Sequence, residues 1–148
     1  MNWPDAVTVE EMNWGPIAIV QSFQCSDKPY DRVVLISARP SGRPAGTITL
    51  RRWLGGLPDE EKVQARVAEA VTGVISVDNL LVIGEYFGIW PREVILVDVE
   101  PGREEMGDSF TPEVEAVIPE VLRTVQGAAT GNLDSLDEAL VTMRGTEL

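Results

Sequence analysis

The segment 93–101, EVILVDVEP, constrains the fold of this chain more than any other part of the sequence. Aliphatic and mostly β-branched residues occupy both faces of its pleat, and it ends at Pro101, which cannot donate a hydrogen bond to a β-ladder. Such a run is typical of a strand that is buried on both faces. Helical patterns lie before it, at residues 79–87, and after it, at residues 112–126. The sequence therefore predicts an alternating α/β structure built around this strand.

Further strands and helices are predicted on the N-terminal side. The strands cover residues 7–12, 31–38 and 47–53, and the helices cover residues 17–23 and about 59–71. Residues 31–38 form a second unbroken aliphatic run, which predicts a second buried strand. Residues 7–12 alternate β-branched with polar residues, which predicts a short, half-buried strand.

Gly84 lies inside the predicted helix at residues 79–87. Glycine in a helix interior lowers the helix propensity by about 1 kcal/mol relative to alanine. We therefore expect a close packing contact at this position.

The C-terminal tail follows a small-residue segment at 127–131, which we interpret as a linker. Beyond it, four apolar residues recur at spacings of three and four: Leu133, Leu136, Leu140 and Met143. This stripe predicts an amphipathic helix that packs on its own domain or docks on a partner. The predicted organisation is an α/β domain at residues 1–126, followed by a linker and helix at residues 127–148.

The chain is strongly acidic, with a formal net charge of −12 and a pI near 4.3. This charge repels phosphate backbones and anionic membrane surfaces at long range. We therefore expect neither nucleic acid nor a membrane as a partner. A basic or neutral partner fits better.

The sequence also bears on where the protein resides. No apolar run reaches the roughly 18 residues that a transmembrane helix needs. Residues 1–5, MNWPD, lack the basic and apolar regions of a signal peptide. The single cysteine, Cys25, cannot form an intramolecular disulfide. We therefore expect a cytoplasmic protein.

The sequence contains no histidine. This excludes a Ser-His-Asp triad and removes the commonest general base and the commonest metal ligand. A phosphate-binding glycine loop is not indicated either, because the segment 42–46, GRPAG, contains a proline and is not followed by Lys-Ser or Lys-Thr.

Carboxylates remain as candidates for chemistry. In open α/β sheets, ligands bind outside the carboxyl ends of the strands. Asp98 and Glu100 are predicted to lie at that end of the central strand, and Ser37 at the end of its neighbour. A carboxylate there could bind a metal ion or act as an acid or base. Alternatively, such residues are solvated or cap a neighbouring helix.

Several segments match one family in order and spacing: VTV at 7–9 with Gly15, YDRVVLISA at 30–38, PAGT at 44–47, NLL at 79–81 with GIWP at 88–91, and VILVDVEP at 94–101 with FTPEVEA at 110–116. They resemble the hydrogenase maturation proteases, the nickel-dependent, aspartic-type endopeptidases that trim the C-terminus of the large subunit of nickel-iron hydrogenase. The resemblance covers residues 1 to about 126. It implies a three-layer α/β/α fold of the phosphorylase/hydrolase-like type, with a mostly parallel sheet.

The chain departs from this family at the nickel ligands. The family begins with a strand that carries a Gly-Asn and an Asp-rich motif, followed by a helix, and this sequence starts downstream of both. Ser37 stands where the family has its second ligand, an aspartate, and Gly73 stands where it has a histidine. Serine is a poor substitute for a carboxylate, and glycine has no side chain. We expect no catalytic residue, no metal ligand and no cofactor. The N-terminal difference is either a start assigned at an internal methionine or a natural shortening, and Ser37 and Gly73 favour the natural shortening.

The resemblance and the lost ligands together predict a degenerate maturation protease-like protein. It would bind a protein partner, such as the hydrogenase large subunit, without cleaving it. One alternative is an active nickel-dependent endopeptidase that uses Asp98 and Glu100 instead. A further alternative is a small-molecule binding module.

Loss of a central first strand would leave open strand edges at residues 7–12 and 31–38. Open edges of apolar strands pair with each other or with another chain. Since most soluble oligomers are two-fold symmetric, we expect a homodimer, with the apolar stripe of the tail sealing the contact.

Overall fold

A computed structural model of the chain describes residues 2–13, 15–72, 76–103, 106–136 and 139–148. These residues form four α-helices and four strands. The helices are α1 (Pro16–Gln24), α2 (Glu60–Ala70), α3 (Val77–Tyr86) and α4 (Pro112–Thr130), and the strands are β1 (Arg32–Ala38), β2 (Ile48–Trp53), β3 (Glu93–Val99) and β4 (Leu140–Met143). Two short 3₁₀ helices cover Leu133–Ser135 and Gly145–Glu147. The predicted α/β class is confirmed.

The four strands form one mixed sheet in the order β1-β3-β2-β4. β3 lies between β1, which runs parallel to it, and β2, which runs antiparallel. β4 pairs with β2 in parallel. Ile95, Leu96 and Val97 in β3 are fully buried. β3 is therefore the central buried strand that its sequence predicted.

The chain divides into two compact units. The first comprises Met1–Pro29, Gly55–Trp90 and Arg144–Leu148, and the second comprises Tyr30–Leu54 and Pro91–Met143. The second unit contains the whole sheet and α4, which packs on β1 and β3. Its core includes a buried cluster of Ile95, Ala128 and Leu133.

The first unit contains α1, α2 and α3. Side chains at the N-caps of α2 and α3 stabilise both helices: Asp59 accepts a hydrogen bond from the Lys62 N–H at 2.9 Å, and Ser76 accepts one from the Asn79 N–H at 3.2 Å. Such caps each contribute about 1 kcal/mol. α2 begins within one residue of its predicted start, and α3 begins at Val77, two residues before the predicted start at residue 79.

The close contact predicted at Gly84 is present in this unit. The Trp90 indole lies against the Gly84 backbone, so that a Cβ atom at this position would collide with the ring. The indole Nε1–H also donates a hydrogen bond to the Leu81 carbonyl oxygen at 2.9 Å, which fixes the ring on α3. Glycine is therefore required here by packing.

Two predicted strands differ from the structure. Residues 7–12 form no strand, and Val9 is 64% exposed. Their alternating pattern gives only a propensity for extended structure. A segment with this propensity forms a strand only when another strand pairs with it. β1 is a strand as predicted, but it is half-buried instead of buried, with Ile36 54% exposed. The reason is that β1 pairs only with β3 among the described residues and lies at the edge of the sheet.

The predicted C-terminal organisation is wrong in its secondary structure. The predicted linker at residues 127–131 mostly continues α4, which ends at Thr130. The tail then forms a 3₁₀ turn and β4 instead of an amphipathic helix. Leu133 and Met143 are buried within the chain, so the predicted stripe is not an exposed surface that could seal a dimer. The apolar spacing of the tail was compatible with a helix or with a turn and a strand. Pairing of residues 140–143 with β2 favoured the strand.

Candidate functional site

Polar side chains lie side by side on one face of the sheet. Ser37 in β1 and Thr49 in β2 both lie directly opposite Asp98 in β3. Because side chains alternate between faces along a strand, Arg51 shares the face of Thr49. Asp98 and Arg51 are only 4% and 5% exposed. The strand register thus places a buried carboxylate next to a buried guanidinium group.

Every described contact of the Asp98 carboxylate comes from a hydrogen-bond donor. Arg51 donates from Nε to Oδ2 and from Nη2 to Oδ1, the latter at 3.2 Å, and Ser37 Oγ donates to Oδ1 at 3.0 Å. The remaining Nη1 of Arg51 lies 3.0 Å from Met143 Sδ in β4. Two N–H groups of a guanidinium group can donate side by side to the two oxygens of a carboxylate. Both oxygens of Asp98 are therefore engaged by a cationic donor.

Glu100, just beyond the end of β3, is held by the loop that follows β1. The Ser41 N–H donates to both carboxylate oxygens at 3.0 Å, and the Ser41 hydroxyl donates to Oε2 at 2.7 Å. These two donors lower the pKa of Glu100, and the amides of Gly42 and Arg43 add to the effect, against an opposing contribution from burial. Glu100 is therefore an ionised anchor for this loop.

A groove of about 1100 Å³ opens beside the carboxyl ends of β1 and β3. Its walls are the ends of these strands, the following loop and the first half of α4, with apolar contributions from Ile36, Val99, Phe110, Val114 and Ile118. Ile36 and Phe110 are 54% and 65% exposed. The groove is thus open and largely apolar.

The groove and the buried ion pair occupy different faces of the sheet. Val99 and Ile36 lie on the face that α4 covers, whereas Asp98 lies on the other face by strand alternation. Ser37 contributes to the groove wall, but its hydroxyl donates to Asp98. A molecule in the groove would therefore not meet the Asp98 carboxylate directly.

The structure brings only some of the predicted site residues together. Ser37 and Asp98 are in contact as their strand-end positions suggested, but Asp98 and Glu100 have separate partners and form no shared site. Gly73 lies outside the described residues. Sequence reasoning missed Arg51, the main partner of Asp98. The available signal was a pair of adjacent arginines, Arg51 and Arg52, within a strand whose other residues are apolar or β-branched.

The residues that the structure describes contain neither a metal-binding cluster nor a membrane-spanning helix. No group of three or more His, Cys, Asp or Glu side chains in this part of the chain is arranged to hold a metal ion. Within the same residues, no helix combines the length and apolarity needed to cross a bilayer.

Comparison with known proteins identifies similar folds. No family model matches the sequence, and no curated protein matches it significantly. Among solved structures, the solution structure of an endopeptidase from Escherichia coli has a TM-score of 0.50 and 22% identity, over 76% of this chain and 64% of that one. The hydrogenase maturating endopeptidase HybD from E. coli has a TM-score of 0.47 and 24% identity, over 82% and 65%. The hydrogenase 2 maturation peptidase from Thaumarchaeota archaeon SCGC_AB-539-E09 has a TM-score of 0.44 and 16% identity, over 78% and 87%.

The likeness to the E. coli endopeptidase concerns the fold. It agrees with the α/β fold that the resemblance in sequence implied. The chain spans about two thirds of that structure, 64% of its length.

Proposed function

We propose that this chain is a hydrogenase maturation protease-like protein that binds a protein partner in the cytoplasm and does not cleave it. The proposal combines the endopeptidase-like fold with the sequence segments that resemble the family. It also rests on Ser37 and Gly73, which stand where the family has metal ligands. The observation that carries it is the pairing of Asp98 with Arg51.

This pairing argues against a nickel site at the strand ends. A metal ligand needs free lone pairs, and three of the roughly four lone-pair positions of the Asp98 carboxylate already accept hydrogen bonds from Arg51 and Ser37. A cation about 4 Å from the guanidinium group would be repelled by roughly 4 kcal/mol per unit of its charge, at the effective dielectric constant of protein sites. We infer that these residues do not fit nickel.

Glu100 is also a poor candidate for a catalytic base. A general base works best when its pKa lies near the operating pH. The hydrogen bonds from Ser41 lower the pKa of Glu100, which moves it further from neutrality. Accepting a proton would also weaken the contacts that hold the loop. We therefore assign Glu100 a structural role.

We place partner binding in the groove between the end of β1 and α4. Its apolar wall and the exposed ring of Phe110 suit an apolar segment of a protein. The net charge of −12 favours a partner that is neutral or basic. The unprocessed C-terminal segment of a nickel-iron hydrogenase large subunit is the partner that the family resemblance suggests.

The test is incubation with an unprocessed, nickel-loaded hydrogenase large subunit. Intact-mass spectrometry reports cleavage, and calorimetric titration reports binding. We expect binding without any loss of C-terminal mass. Cleavage would refute the non-catalytic assignment and favour the active endopeptidase.

A pair of variants tests the location of binding. Phe110→Ala removes an aromatic ring that lines the groove and is 65% exposed. Tyr86→Ala removes a ring of similar exposure, 57%, from α3 in the other unit. We expect Phe110→Ala to weaken binding by about tenfold or more and Tyr86→Ala to leave it unchanged. Equal effects would refute binding in the groove.

A further inference from the structure

We draw no further inference here: the strongest candidate, the surface patch formed by the exposed rings of Tyr86 and Phe87 at the C-terminal end of α3, carries none, because nothing in the structure shows what covers it.

Discussion

The guanidinium group of Arg51 and the carboxylate of Asp98 form a buried ion pair with two hydrogen bonds between neighbouring strands. The two residues are 47 positions apart in sequence. This pair joins β2 to β3. It gives Asp98, which the sequence had suggested as a candidate for chemistry, a structural partner within the chain. Its energetic role can be measured.

Removing one member of this pair should be strongly destabilising. Arg51→Leu or Asp98→Leu leaves a buried charge without its partner, which costs about 3–5 kcal/mol in comparable cases. The double variant should lose much less than the sum of the two single losses, because no uncompensated charge remains. Urea denaturation of the four proteins gives the coupling energy. Additive losses would show that the two side chains do not interact in solution.

The Ser37 hydroxyl should contribute modestly by comparison. Ser37→Ala removes one hydrogen bond to Asp98 while leaving both bonds from Arg51 in place. A single hydrogen bond to a charged group contributes about 1.5–3 kcal/mol, so the loss should be smaller than that of Arg51→Leu under the same denaturation assay. A loss as large as that of Arg51→Leu would mean that Ser37 also positions the ion pair.

Glu100 should make stability depend on pH. Its pKa is lowered in the folded chain, mainly by the Ser41 hydroxyl and N–H. Its contribution is therefore fully present above the unfolded-state pKa and is lost as the pH falls through the folded-state pKa. Glu100→Gln should destabilise the protein at neutral pH, and the difference from wild type should shrink on acidification. Glu120→Gln, an exposed position on α4, is the control. A difference independent of pH would contradict the assignment.

Two glycines in helices should respond oppositely to alanine. A Cβ at Gly84 would collide with the Trp90 indole, so Gly84→Ala should lower stability by about 1–3 kcal/mol through overpacking. A Cβ at Gly127 in α4 meets nothing within 4 Å. Gly127→Ala should therefore raise stability by up to about 1 kcal/mol through helix propensity. Thermal denaturation of both variants checks the pair, and the same sign of change in both would contradict it.

Nickel should not stabilise the chain. A ligand that binds the folded state raises the melting temperature, and we infer that the residues around Asp98 do not fit this ion. Thermal melts with and without excess nickel should coincide, and Asp98→Asn should not alter any weak nickel binding that calorimetry detects. Stoichiometric binding at about micromolar affinity, abolished by Asp98→Asn, would contradict the inference.

The sequence by itself determined the elements whose signals are local. The unbroken aliphatic run of β3, the caps at Asp59 and Ser76, and the helix pattern of α4 each lie within a few residues of the structure they specify. The close contact at Gly84 was also foreseeable, because a glycine inside a helix needs a packing reason. These features follow from propensity, capping and burial pattern, which act along the chain.

Tertiary structure decided what depends on neighbours in space. β1 has the composition of a buried strand but lies at the sheet edge, and residues 7–12 have a strand pattern without a partner. The tail became β4 because an edge of β2 was available to pair with it. Whether Asp98 was a free acid or half of an ion pair depended on the strand order that placed Arg51 beside it. Strand order is set by the balance of all pairings at once, and no local segment encodes it.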